Sequence, residues 1–104
     1  MRLLQVVFSS RAEDQLEDLL RFITEDSGRA RAEAFVGEIV SFCKNLGTFP
    51  ERGTRRDDLG PSARTIGFRR RATIASAIRG DHLIILGVFY GGQDFETILR
   101  EEDG

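Results

Sequence analysis

The residue order predicts an α+β domain, β-α-α-β-β-β-(α), with an antiparallel-dominated sheet and a helical hairpin packed on one face. Two amphipathic stretches of helical period follow one another across a single stop signal. Three strand-like apolar runs crowd the second half, and a polar connector broken by glycine and proline separates the halves. At 104 residues and 40% apolar content the chain fits one globular domain, with its core over about 3–95.

The elements follow in order. Leu3 to Phe8 is apolar apart from Gln5 and rich in valine and phenylalanine, as in a strand. Ser10 stands three residues before Glu13, the spacing of a capping box, in which the hydroxyl accepts from a free backbone amide. Ala12, Leu16, Leu19, Leu20 and Ile23 then recur at helical spacing until Asp26-Ser27-Gly28 stops the helix. A second helix over about 29–47 turns Ala32, Phe35, Val36, Ile39, Phe42, Cys43 and Leu46 to one side. So short a break implies antiparallel helices packed on each other. Phe49-Pro50 ends that helix, because a residue before proline avoids the helical region. Phe35, Phe42 and Phe49 are expected in the core.

Glu51 to Ser62 is expected to lack regular structure. Ala63 to Phe68 and Arg71 to Arg79 read as strands. In the second, Ala72, Ile74, Ser76 and Ile78 face one way and Thr73, Ala75 and Ala77 the other. Gly80-Asp81 suits a two-residue hairpin turn, and His82 to Tyr90 is apolar enough for a central strand covered on both faces. Asp94 is placed to cap a short helix over Phe95 to Leu99, leaving an acidic loose tail at 100–104.

Charge is distributed unevenly along this order. The net charge of -2 conceals a basic middle, since residues 49–80 carry eight arginines (52, 55, 56, 64, 69, 70, 71, 79) against Glu51, Asp57 and Asp58. A partner feels that local balance of +5 rather than the average. Lys44 is the only lysine. One cysteine, Cys43, permits no internal disulfide and no zinc cluster by itself; on an apolar helix face it reads as a buried small hydrophobe. No metal or cofactor is expected. No leader is evident and no run reaches the about 20 apolar residues of a membrane span, so a cytoplasmic protein without membrane contact is expected.

Several phrases, in this order, resemble the RelE/ParE toxin superfamily, particularly its ParE-like branch. They are Phe8-Ser9-Ser10-Arg11-Ala12-Glu13-Asp14-Gln15-Leu16-Glu17-Asp18 with Phe22-Ile23; Ala34-Phe35, Ile39, Cys43 and Leu46; Phe49-Pro50-Glu51-Arg52-Gly53; Asp57-Asp58-Leu59-Gly60 and Arg64; and Val88-Phe89-Tyr90-Gly91-Gly92-Gln93-Asp94. Together they span roughly residues 3–95. The chain departs from the family pattern in three places. Tyr90 stands where histidine is usual, Gly92 and Gln93 replace arginines, and Ala75-Ser76-Ala77 replaces larger, often aromatic residues.

The resemblance implies the toxin of a type II toxin–antitoxin, plasmid-stabilisation system. Its ParE-like members act on DNA gyrase without catalysing chemistry, whereas RelE-like members cut messenger RNA on the ribosome. It also implies a ParD-like antitoxin with an acidic, amphipathic C-terminal arm, and contact with operator DNA only through that antitoxin.

Cutting RNA through its 2′-hydroxyl needs a base, cations for the phosphate and an acid. A nuclease would draw on Arg64, Arg70, His82 and Tyr90, with Glu51 a further possible base. Arginine itself stays protonated and cannot serve as the base. The binding reading assigns Arg52, Arg55, Arg56, Arg64, Arg69, Arg70, Arg71 and Tyr90 to the target or the antitoxin. Gyrase-binding toxin, ribonuclease and inactive binding module stand as three alternatives, with the first favoured because the base is missing.

Overall fold

A computed structural model describes residues 3–91 and 95–103, the side chains of 100–103 excepted. Strand β1 (Gln5–Phe8) leads into helices α1 (Ser10–Ser27) and α2 (Arg29–Asn45). Strands β2 (Thr54–Arg55), β3 (Ala63–Phe68), β4 (Ala72–Arg79) and β5 (His82–Tyr90) follow, and helix α3 (Phe95–Asp103) closes the chain. The sheet order is β1-β5-β4-β3-β2. All neighbours are antiparallel except β1 and β5, which run parallel with Gln5 opposite His82 and Phe8 opposite Ile85. β5 is therefore interior, as an apolar run demands, although β4 is the middle strand.

Gly28 joins α1 to α2 alone. At φ +96 it donates its N–H to the Thr24 carbonyl and offers its own carbonyl to Ala32, ending one helix and starting the next. The hairpin lays Ala12 and Leu19 from α1, with Ile39 and Cys43 from α2 and Leu46 just past its end, against Ile74, Leu83, Ile85 and Val88 of the sheet. The alternating residues of β4 and β5 point the other way. Ala75 and Phe89 meet Leu59, Ala63 and Leu99 in a second apolar layer, over which α3 lies. The sheet is thus covered on both faces.

Where β5 passes from β1's partner to α1's partner, it bulges. Ala75 opposes Gly87 while Ser76 opposes Ile85, so Leu86 has no counterpart on β4. Two side chains of the first helical segment satisfy the displaced backbone. The Ser9 hydroxyl donates to the Leu86 carbonyl (3.0 Å), and Gln15 Oε1 accepts from the Val88 N–H (2.7 Å). A side chain at position 87 would place its Cβ 2.6 Å from the Phe89 ring, so glycine is required there.

Six expectations change. The cap of α1 is Ser9, whose hydroxyl accepts from Ala12 N–H (3.1 Å), because the Ser9 N–H is already fixed to the Ile85 carbonyl at the end of β1. α2 stops at Asn45 rather than about 47, since the tight turn at Leu46-Gly47 brings the Gly47 carbonyl to the Leu4 N–H. The connector contains β2 and a 3₁₀ turn at Asp57–Leu59, the latter anchored by buried Leu59. β4 begins at Ala72, because Arg69-Arg70-Arg71 form the reversal from β3. Phe49 lies outside the core, 45% exposed, because it follows the turn that ends α2. α3 continues through Asp103, so the segment read as a tail is helical to that residue. The expected Asp94 cap, with Gly92 and Gln93, lies outside the described residues.

Candidate functional site

The β3–β4 reversal is a tight turn with an unexpected sequence. The Phe68 carbonyl accepts from Arg71 N–H (3.0 Å), and Phe68 pairs with Ala72. The two central residues, Arg69 and Arg70, take φ +50 and +57. Hairpin turns of this form favour Asn-Gly, since a Cβ in the left-handed region costs on the order of 1–2 kcal/mol per residue. Two arginines hold these positions instead.

A row of rings runs beside the turn. Phe22 meets Tyr90 (centroids 6.3 Å apart), Tyr90 meets Phe35 edge-on (5.8 Å), Phe35 meets Phe68 (6.0 Å) and Phe68 meets Phe42 (5.2 Å). Guanidiniums cover the far rings, Arg69 over Phe68 at 5.3 Å and Arg52 over Phe42 at 5.7 Å. Tyr90 and Phe22 separate two clefts. One, of about 290 Å³, includes Asp26, Arg31, Phe35, Glu38 and Arg71 in its lining. The other, of about 370 Å³, runs along Gln15, Asp18, Leu19 and Val88.

The basic middle of the chain divides here. Arg69 forms an ion pair with Glu38 of α2. Arg55 and Arg64 are cross-strand partners, like charges whose repulsion is relieved by neighbours. Arg55 Nε bonds both Asp57 oxygens (2.9 and 3.0 Å), and Arg64 donates to the Glu51 and Gly53 carbonyls (2.9 and 3.4 Å). Arg56 bridges Asp58 (2.8 Å) and Glu96 of α3 (2.7 Å) and covers the Phe95 ring. Donating hydrogen bonds to the Asp57 carboxylate raises the Arg55 guanidinium above its ordinary pKa, and donating to Asp58 and then Glu96 does the same for Arg56. Neither can give up a proton as an acid. Arg79 donates to the Pro61 carbonyl (2.6 Å).

Arg70 and Arg71, by contrast, offer guanidiniums with no hydrogen bond or ion pair among the described residues. Arg31, which shares the smaller cleft with Arg71 and Tyr90, is in the same condition. Sequence reading passed over Arg31, because its balanced surroundings on a helix carry no signal.

The four residues named for a nuclease do not converge. His82 and Tyr90 close opposite ends of β5, about 27 Å apart along an extended strand. His82 pairs with Arg79 and Gln5, whereas Tyr90 pairs with Ala72. Arg64 lies against Ser76, midway along β4, and only Arg70 shares an end of the sheet with Tyr90. Glu51 is exposed and offers its backbone carbonyl, not its carboxylate, to Arg64. Cys43 is wholly buried, and burial pushes its thiol up to about 12, so it is no nucleophile. No group of histidine, cysteine and carboxylate side chains suited to a metal occurs among the described residues. No described helix is long and apolar enough to cross a membrane.

Comparison with known proteins agrees with this architecture. No curated protein matches the chain. A solved chain described as "Chromosomal ParDE TA system from P. aeruginosa" superposes with a TM-score of 0.74 at 20% identity, covering 85% of this chain and 96% of that one, which establishes a shared fold. The family model of the ParE toxin of the type II toxin–antitoxin system parDE matches residues 6–100. With nearly its whole length matched, the chain belongs to the ParE toxin family of type II toxin–antitoxin systems.

Proposed function

We propose that this toxin acts by binding DNA gyrase rather than by cutting RNA, and that a ParD-like antitoxin silences it. The observation that carries the reading is the scatter of Arg64, Arg70, His82 and Tyr90 along the sheet, which leaves the free arginines without histidine beside them. Cations without a base can dock and position a charged partner but cannot deprotonate a 2′-hydroxyl. The antitoxin's acidic arm would lie along the clefts on either side of Tyr90, where burial of Phe22, 58% exposed, supplies affinity and Arg31 and Arg71 supply charge complementarity. The complex, not the free toxin, would meet operator DNA.

Purified toxin added to purified gyrase should reduce supercoiling, and equimolar antitoxin should restore it. Unimpaired supercoiling at a large excess of toxin overturns the reading. One observation favours a ribonuclease instead: Glu38, a carboxylate, lines the same cleft as Arg71, Arg31 and Tyr90, although Arg69 already pairs with it. Codon-positioned cuts in primer extension after induction, abolished in Glu38→Gln, would establish that alternative.

A further inference from the structure

We infer that the Arg69-Arg70-Arg71 turn is a phosphodiester-binding tip through which the toxin touches duplex DNA. The inference rests on the reading of the toxin as acting on a gyrase–DNA complex and identifies which surface meets the DNA.

Charge is the first support. From Leu59 to Gly80 the chain carries five arginines and no acidic residue, so β3 and β4 bring no countercharge to their own turn. Among the described residues the one carboxylate paired at the tip is Glu38, and it engages Arg69. Arg70 and Arg71 are left exposed and without an ionic partner among the described residues, at the turn between β3 and β4 beside the end of β5.

Backbone conformation is the second. Arg69 and Arg70 occupy consecutive left-handed positions that asparagine and glycine would fill with less strain. Strain of this kind persists at sites where the side chain is needed for something other than stability. The turn also fixes direction. Arg69 is held back along α2 by Glu38 and the Phe68 ring, so Arg70 and Arg71 lead.

The surroundings choose the ligand. An acidic protein segment would gain its affinity from apolar burial, yet residues 69–71 are all exposed, and the ring beside them, Phe68, is buried beneath Arg69. A phosphate backbone asks only for guanidiniums in fixed positions. Apolar contact is available in the clefts beside Tyr90; Arg71 also lines the smaller of them, whereas Arg70 lines neither, which leaves the apex of the turn to the nucleic acid.

The test is fluorescence anisotropy of a labelled 30-base-pair duplex titrated with free toxin over a salt series. Wild type should bind measurably at low salt. The Arg70→Gly/Arg71→Ala double variant should lose about two units of the log–log salt slope, close to one per phosphate contact. Arg70→Gly relieves the left-handed strain, so the variant should fold, which circular dichroism checks. Arg21→Gln, removing one charge from α1, should leave the slope unchanged. Failure of wild type to bind, or equal slopes for wild type and double variant, overturns the inference. So does a double variant that keeps DNA binding but no longer holds a poly-glutamate peptide, since the tip would then serve a protein. DNA binding by the tip without any effect on gyrase removes only the gyrase reading. Inhibition of gyrase with an inert tip removes only this one.

Discussion

Single residues show which sequence signals survive folding. Cys43 behaves as its apolar neighbours require: it is wholly buried, and its thiol is driven from the ordinary 9.0 to about 12 by burial. The unfolded chain releases that proton near 9 while the folded chain keeps it, so the Cys43 contribution to stability is complete below pH 9 and is lost as pH rises toward 12. Urea unfolding at pH 8 and at pH 10.5 should differ by about 2 kcal/mol more in wild type than in Cys43→Ala, at about 1.4 kcal/mol per pH unit. Parallel behaviour of the two proteins would place the thiol in contact with water. Phe49 was unreadable by contrast. Its neighbours predict the end of a helix but not the direction of the turn at Leu46-Gly47, and that turn leaves it beside Pro50 and Arg52 in a surface cleft with Leu4 and Ile78.

Elements were legible in kind and less so at their ends. Helical period located α1 and α2 because burial of one stripe is decided locally. The cap was displaced by one residue, from Ser10 to Ser9, because a long-range bond to β5 fixes where the strand stops. Ser9 supplies both the cap of α1 and a donor to the bulged Leu86 carbonyl, so Ser9→Ala should cost about 1–2 kcal/mol. Ser10→Ala, at an exposed first-turn position, should cost under about 0.5 kcal/mol. Denaturant midpoints of the two variants measure the difference, and equal costs would restore Ser10 as the cap. The β3–β4 turn escaped sequence reading because arginine is among the poorer residues for it; the Asn-Gly signal that announces such turns is absent.

At the scale of the molecule, two apolar layers around one sheet explain a local oddity. Ala75 and Ala77 are small for strand positions, and both are buried on the face opposite the helical hairpin. Ala75 packs with Phe89, Leu59, Ala63 and Leu99, so small strand residues make room for α3 to lie close. Arg56 holds the same helix through Glu96, which ties the 3₁₀ turn region to the C-terminal end of the chain. Leu99→Ala should therefore cost about 2–4 kcal/mol with little change in helix content. Calorimetry of the variant is the check, and an unaltered melting temperature would mean that α3 adds nothing to this layer. The basic segment divides at this scale as well. Among the described residues, one linear cluster of eight arginines becomes five that are tied to acids or carbonyls, one stacked on Phe42 and two without a pairing partner at a hairpin turn.

By itself the sequence determined the fold class, the helical hairpin, the three long strands and the family. Those follow from periodicity, from turn residues and from the order of phrases, all of which act over a few residues at a time. Tertiary structure alone decided which arginines are available, because pairing to Asp57, Asp58, Glu96, Glu38 or a carbonyl depends on segments up to 40 residues apart meeting in space. It also decided that His82 and Tyr90 lie at opposite ends of one strand and that Arg31 joins Arg71 in a cleft. Charge counts along a chain give the size of a field; only the folded neighbours determine where it is left uncancelled.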